Sequence, residues 1–219
     1  MKKLLLLLLI SFLGTVLISC SQPDQPTIGL YVAIKRGDID QVERHIFWKT
    51  DINALNIDGQ TPLHESAING RIIISQLLLK NGAQINKLNK NGQTALDIAL
   101  VNGRTQLADV LVDKFSAELD ATASLFDIVN RNVHDRDVIR FLVRRGARIN
   151  SHDENGNTPL IIAVKNGKRL VAKHLIDNNA DVNVPSNNGI TPLATAKKIN
   201  NQDLVSLLLS NGARETVNP

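Results

Sequence analysis

Residues 58–86 read DGQTPLHESAINGRIIISQLLLKNGAQIN, and this stretch decides the fold. Asp58 and Gly59 predict a tight turn, because glycine adopts a positive φ without a steric penalty at Cβ. Thr61 is placed to cap a helix by accepting a backbone N–H. Pro62 then stands at the first helical position, where the missing N–H of proline does no harm. The first half of the stretch therefore predicts a turn followed by a short helix.

The second half predicts another helix. An Asn-Gly pair at 69–70 ends the first helix, and a second Asn-Gly pair at 81–82 ends the next one. Between them, Ile74 and Leu78 are four residues apart and share one apolar helix face. Two helices this short bury too little apolar surface to be stable alone, so we expect further copies of the unit to stack against them.

The chain contains those copies at a period of 33 residues. The octets are TPLHESAI at 61, TALDIALV at 94, TPLIIAVK at 158 and TPLATAKK at 191. The apolar positions of the second helix recur in phase as Ile74/Leu78/Leu79, Leu107/Leu111/Val112, Val171/Leu175/Ile176 and Leu204/Leu208/Leu209. The pattern resembles the ankyrin repeat, whose signature is T-P-L-H-x-A at this period. The resemblance implies an all-α solenoid of helix-turn-helix repeats joined by short turn fingers.

We predict about six repeats, the first of which lacks the octet and is a capping repeat. Phe47 and Trp48 fall near the end of its outer helix, where they fit either a capping contact or a binding site for a partner. The predicted repeats are residues 28–57, 58–90, 91–120, 121–153, 154–186 and 187–219.

The fourth repeat departs from the template. Residues 114–119 read KFSAEL where the pattern requires N-G-A-x-I-N, so no glycine ends the preceding helix and no finger follows. The second half of this repeat returns to the pattern at Val138, Leu142 and Val143. We therefore predict a shortened junction without a turn finger, which kinks or notches the stack.

The N-terminus predicts an export signal. Met1, Lys2 and Lys3 precede an uncharged, leucine-rich run from residue 4 to residue 18. The run ends in Leu-Ile-Ser-Cys at 17–20, which resembles a bacterial lipobox. The resemblance implies a signal peptide at 1–19, lipidation of Cys20 and a tether at 20–27. The alternative is an uncleaved signal anchor.

The resemblance also predicts a location. Position 21 is serine rather than aspartate, so no signal for retention in the inner membrane is implied. We therefore expect a lipid-anchored protein on the periplasmic face of the outer membrane.

The composition excludes several classes of function. The formal charge of +4 includes Lys2 and Lys3 of the predicted signal peptide, and the remainder is too small to indicate nucleic-acid binding or electrostatic membrane docking. The single cysteine excludes an internal disulfide. No G-x-S-x-G, P-loop or dinucleotide motif is present. We expect no enzymatic activity and no cofactor.

The histidines do not predict a metal site. His64 lies in the T-P-L-H tetrapeptide, where the family uses it for a structural hydrogen bond. The others lack the spacing of metal ligands, and they are His45, His134, His152 and His174.

Two surfaces are candidates for partner binding. The first is formed by finger tips, with two neighbouring inner-helix positions; its residues are Leu55, Ile57, Leu88, Lys90, His152, Glu154, Ile68 and Val101. Exposed apolar clusters often mark interfaces, but these tips fit packing against the next finger equally well. The second surface is basic, with Arg136, Arg140 and Arg144 at four-residue spacing. Arg131, Arg145 and Arg148 lie near it, against only Asp135 and Asp137 in the same span, and the alternative is a solvated outer face.

The sequence thus predicts a membrane-tethered, monomeric module that binds an unidentified protein. Ankyrin proteins of the bacterial envelope that it resembles include immunity proteins, which block antibacterial toxins. The resemblance therefore makes a toxic effector the sharpest hypothesis for the partner. The alternative is a structural or stress-related scaffold for an envelope complex.

Overall fold

The computed structural model of the protein describes residues 22–215, and within that range the fold is all-helical, with twelve helices and no strand. The helices are α1 (Leu30–Arg36), α2 (Ile39–Phe47), α3 (Pro62–Ile68), α4 (Ile72–Lys80), α5 (Ala95–Val101), α6 (Thr105–Phe115), α7 (Ala121–Asn130), α8 (Arg136–Arg144), α9 (Pro159–Lys165), α10 (Arg169–Asp177), α11 (Pro192–Lys198) and α12 (Gln202–Ser210). Each odd-numbered inner helix pairs with the outer helix that follows it. The predicted solenoid of about six helix-turn-helix repeats is confirmed.

Local signals in the sequence define the inner helices. The four octets begin with Thr61, Thr94, Thr158 and Thr191, and each threonine hydroxyl accepts the N–H of the third helical residue. A left-handed residue then reverses the chain into the outer helix in most repeats, as at Gly70 with φ 63°. The helix boundaries therefore follow from contacts within a few residues.

Stacking of the repeats produces the core. The inner helices are enclosed by neighbouring repeats, so α9 buries six of its seven residues. The outer helices bury one stripe each, as Ile74 and Leu78 do in α4. Burying an aliphatic side chain contributes about 1.5–3 kcal/mol, so each repeat gains most of its stability from its neighbours rather than from its own two helices.

The connection from an outer helix to the next inner helix takes two forms. Four connections are fingers, and they are residues 48–61, 81–94, 145–158 and 178–191. The connection between α6 and α7 is only residues 116–120, and α6 is 11 residues long where α4 has 9. Ser116 supplies the left-handed end of α6 with φ 56°, and Asp120 caps α7. The predicted junction without a turn finger is confirmed, and a serine there takes the left-handed conformation that Gly82 and Gly146 adopt after α4 and α8.

The predicted signal peptide and Cys20 lie outside the described residues. Within residues 22–215, no helix is both long and apolar enough to cross a bilayer.

Candidate protein-binding site

The fingers form two separate pairs. We call residues 48–61 finger A, residues 81–94 finger B, residues 145–158 finger C and residues 178–191 finger D. Fingers A and B are adjacent, and so are fingers C and D. The position between B and C holds no finger, because the connection there is the short segment 116–120.

Fingers A and B are joined by backbone and side-chain contacts. The N–H of Lys90 donates to the carbonyl of Gly59 at 3.1 Å. The stem of Lys90 covers Gly59, so a Cβ added at Gly59 would lie 2.6 Å from Cβ of Lys90.

The base of finger A is also held by α1. Tyr31 donates its hydroxyl to the carbonyls of Ala54 and Gln60, at 2.7 and 2.8 Å. Burial raises the pKa of Tyr31 to about 12, so the hydroxyl that holds the base of finger A stays protonated.

Fingers C and D repeat the same backbone link. The N–H of Asn187 donates to the carbonyl of Gly156 at 2.8 Å, and a Cβ added at Gly156 would lie 2.6 Å from Cβ of Asn187. The Nε2–H of His152 donates to the carbonyl of Pro185 at 2.8 Å. His152, predicted to bind a partner, therefore also joins fingers C and D.

The tips of fingers A and B expose apolar side chains. Ile57 is 98% exposed, while Leu55 and Leu88 are 50% and 54% exposed. The fold thus covers about half of each leucine and almost none of Ile57. Lys90 and Glu154 are exposed on fingers B and C.

Ile68 and Val101 lie apart from these tips. They are the last residues of α3 and α5, and seven residues of helix span about 10 Å from the finger end. Both side chains are half-buried and pack against the core. They therefore lie at the far end of the inner helices from the tips that carry Leu55, Ile57 and Leu88.

A cleft of about 550 Å³ occupies the position of the missing finger. Finger B forms one wall and α7 forms another, with Leu88 and Gly92 on the finger side. Its carboxylates are Asp97, Glu118, Asp120 and Asp127. All four accept hydrogen bonds within the protein, from Thr94, Asn86, the first turn of α7 and Arg131 respectively. They therefore stabilise the walls of the cleft.

The basic surface on α8 is more neutral than its own sequence indicates. Arg144 pairs with Asp109 at 3.2 Å, and Arg145 pairs with Asp109 and Asp113 at 2.6 Å each. Both aspartates lie on α6. Hydrogen bonds to them raise the pKa of Arg145 above its usual range, and those from Arg145 lower the pKa of Asp113.

Aspartates on α7 and α8 lie near three other arginines of this surface. Arg140 lies 3.4 Å from Asp137, Arg136 lies 4.0 Å from the same carboxylate, and Arg131 pairs with Asp127 at 2.7 Å. The charge count over residues 131–148 does not include the acids on α6 and α7, which lie earlier in the chain. The spacing could have revealed these pairs, since Asp109 and Asp113 precede Arg145 by about one repeat and residues one repeat apart lie on adjacent outer helices.

His64 has the expected structural role. Its Nδ1 accepts the Thr61 hydroxyl at 2.6 Å, and its Nε2–H donates to the carbonyl of Gln93 in finger B at 2.9 Å. Burial lowers the pKa of His64, so the neutral ring that makes both bonds is favoured. Within residues 22–215, no group of three or more His, Cys, Asp or Glu side chains is arranged to hold a metal ion.

Stacked helix pairs joined by fingers define a repeat solenoid, a class of protein-interaction scaffold. A sequence model of three ankyrin repeats matches residues 30–123 and again residues 125–218. The chain therefore belongs to the ankyrin-repeat family, and it is a protein-interaction domain.

Solved structures share this fold. The ankyrin repeat domain of Bcl-3, a member of the IκB family, is 28% identical with a TM-score of 0.67, over 87% of this chain and 89% of that chain. The human ASB11 ankyrin repeat domain is 25% identical with a TM-score of 0.65, over 86% of each chain.

A third similar structure is the complex of the predatory endopeptidase Bd0816 from Bdellovibrio bacteriovorus with the immunity protein Bd3460. The matching chain is 24% identical with a TM-score of 0.61, over 85% of this chain and 99% of that chain, which shows a shared fold. A search among curated proteins found no significant match.

Proposed function

We propose that this chain is a lipid-anchored module of the bacterial envelope that binds and blocks a toxic effector protein. The observation that carries the proposal is the exposed apolar surface at Leu55, Ile57 and Leu88. These side chains lie on two fingers that are hydrogen-bonded to each other, so they are exposed on a part of the fold that the backbone holds in place. Large exposed apolar side chains that cluster on such a support favour a protein interface.

The cleft supports the same mode of binding. It adjoins Leu88, so a protruding loop of a partner would enter it while the rest of the partner covers the finger tips. Because the third finger is missing, one partner can contact both the protruding finger tips and the cleft beside them. Similarity to a structure that contains an immunity protein supports the choice of a toxic enzyme as that partner.

The lipobox-like sequence at 17–20 supports the proposed location on the periplasmic face of the outer membrane. Anchoring at one membrane raises the local concentration of a binding module toward proteins that cross it. Lipidation requires the Cys20 thiol, so a Cys20→Ser protein should lose both its acyl label and its place in the membrane fraction. Retention of an acyl label in that variant would contradict the proposed anchor.

A pull-down from envelope extract, with residues 21–219 as bait, tests the binding surface. The doubly substituted bait Leu55→Asp/Leu88→Asp should lose at least about tenfold in affinity for the captured protein, which corresponds to about 1.4 kcal/mol. Leu170→Asp is the matched control, because Leu170 on α10 is 47% exposed, far along the stack. Equal binding by all three baits would rule out the finger tips as the interface.

Deletion of the gene tests the choice of partner. Cells without an immunity protein should be killed or inhibited by siblings that carry the toxin. A constitutive, stoichiometric envelope partner, together with no change in sensitivity, would instead indicate the scaffold alternative.

A further inference from the structure

Two exposed aromatic side chains, Phe47 and Trp48, lie at the C-terminal end of α2. Phe47 is 46% exposed and Trp48 is 39% exposed. Their rings pack edge to face, with centroids 5.8 Å apart and planes at 75°. The part of this aromatic pair that remains exposed gains from removal from water.

The segment that leads back toward Cys20 lies against the same end of α2. The indole N–H of Trp48 donates to the carbonyls of Pro23 and Asp24, at 3.1 and 3.3 Å. Further along, the N–H of Thr27 donates to Oε1 of Gln41 at 2.8 Å. The segment is therefore fixed on α2 as far back as Pro23.

Covalent length limits the distance from this contact to the predicted lipidation site. Pro23 lies three positions after Cys20, and a fully extended chain spans at most about 3.6 Å per residue, so their Cα atoms are at most about 11 Å apart. The residue that carries the acyl chains would thus lie within about 11 Å of Pro23, whose carbonyl accepts the Trp48 indole N–H.

We propose that Phe47 and Trp48 form a membrane-contact surface, which rests against the bilayer interface and orients the first repeat on the membrane. This inference rests on the proposed lipid anchor at Cys20. Tryptophan suits the interface because its ring is apolar and its N–H is polar. Here the indole N–H already has two acceptors in the protein, so the ring enters the interface without leaving an unpaired donor.

The surroundings of the pair favour apolar contact over electrostatic attraction. The exposed charges nearest in sequence are Glu43, Lys49 and Asp51, which give no excess of cations. Arg44 is paired with Asp40 at 2.9 Å and lies 3.6 Å from Asp24. Contact should therefore not depend on anionic lipids. Because the acyl chains hold the protein at the membrane, the aromatic pair determines its orientation rather than its affinity.

The composition of the chain allows a direct test. Cys20 is the only cysteine and Trp48 is the only tryptophan. The mature chain, residues 20–219, contains every buried apolar side chain of the described range. It is coupled through the Cys20 thiol to a maleimide-headgroup lipid in phosphatidylcholine vesicles, and Trp48 fluorescence is recorded with and without lipids brominated in their acyl chains.

We expect the emission of the coupled protein to move to shorter wavelength and to be quenched by the brominated lipids. Phe47→Asp should abolish both changes, while Leu170→Asp should retain them, since Phe47 and Leu170 are 46% and 47% exposed. A Cys20→Ser/Ser210→Cys variant, coupled through the exposed end of α12, should show neither change.

Three outcomes would overturn the inference. The first is emission of the coupled wild type that stays at its solution wavelength and is not quenched. The second is equal quenching in Phe47→Asp, and the third is quenching that appears only with anionic lipids. The vesicle experiment supplies the anchor chemically, so its failure is distinct from failure of Cys20 to be lipidated in cells.

Discussion

Fingers A and B and fingers C and D share a backbone arrangement and differ at their tips. In each pair, one N–H of the second finger donates to a glycine carbonyl of the first, from Lys90 to Gly59 and from Asn187 to Gly156. The A–B pair exposes Leu55, Ile57 and Leu88, whereas finger C exposes the polar side chains of His152 and Glu154. Because the link is made by the main chain, the tip side chains vary without loss of the scaffold.

The junction between the pairs is held differently. Regular outer helices end in an asparagine that bonds the carbonyl four residues earlier, as Asn81 does with Leu77 at 2.8 Å. Arg145 stands at that position in the fourth repeat and instead reaches Asp109 and Asp113 on α6. The missing finger therefore coincides with an ionic link between outer helices.

The largest effect should come from the core of this junction. Phe141 is 1% exposed, and the guanidinium groups of Arg144 and Arg145 lie 5.9 and 5.2 Å from its ring centroid. Phe141→Ala should lower the free energy of unfolding by about 3–5 kcal/mol, measured by urea denaturation. Leu77→Ala, at the corresponding but half-buried position of α4, should cost less. Equal losses would mean that the junction is packed like a regular repeat.

Alanine substitutions at Gly59 and Gly92 should differ in their effect on stability, because finger B covers only Gly59. Gly59 and Gly92 have φ of 69° and 71°, so alanine costs each about 1 kcal/mol in backbone strain. Gly59→Ala also forces Lys90 away and should cost about 1–3 kcal/mol more, whereas nothing lies within 4 Å of a Cβ at Gly92. Urea denaturation of both variants measures the difference. Similar losses would show that finger B does not pack on Gly59.

A pH-dependent effect should be specific to the A–B pair. The pKa of His64 is lowered by burial in the folded protein. As the pH falls below about 6.5, the unfolded protein therefore binds a proton at His64 before the folded protein does. The stability that neutral His64 contributes is present above that pH. It is lost as the pH falls through the lower pKa that His64 has in the folded protein. The urea midpoint of the wild type should therefore drop more between pH 7 and pH 5 than that of His64→Gln. Parallel curves would contradict this, since His174 titrates in both proteins.

Loss of the ionic link should have a modest effect. Arg145→Met should reduce stability by at most about 1 kcal/mol, because exposed ion pairs contribute little. The difference should shrink in high salt. Arg140→Met, which removes a pair within α8 only, is the control. A loss for Arg145→Met that does not depend on salt would assign the effect to packing on Phe141.

The smallest effect on stability should come from the tip itself. Ile57→Asp should change the free energy of unfolding by no more than about 0.5 kcal/mol, because the side chain is 98% exposed. The same variant should weaken capture of the partner. A large loss of stability would show that Ile57 contributes to the scaffold and would weaken its assignment to the interface.

Particular elements show how far sequence reasoning reached. The threonine caps and the 33-residue period predicted α3, α5, α9 and α11, and the KFSAEL segment predicted the absent finger. The sequence did not reveal that Asp109 and Asp113 pair with Arg144 and Arg145, or that Ile68 and Val101 lie apart from the finger tips. Both facts depend on the distance between elements, which one-dimensional spacing does not give.

The sequence by itself determined the repeats, because capping, left-handed turns and apolar periodicity act within a few residues of one chain segment. It also determined which tips are apolar. Only the tertiary structure decided how those tips are grouped, how much of each is exposed and where a cleft opens. Those properties arise from hydrogen bonds and packing between residues about one repeat apart, as between Lys90 and Gly59, and so depend on the stacking of the whole solenoid.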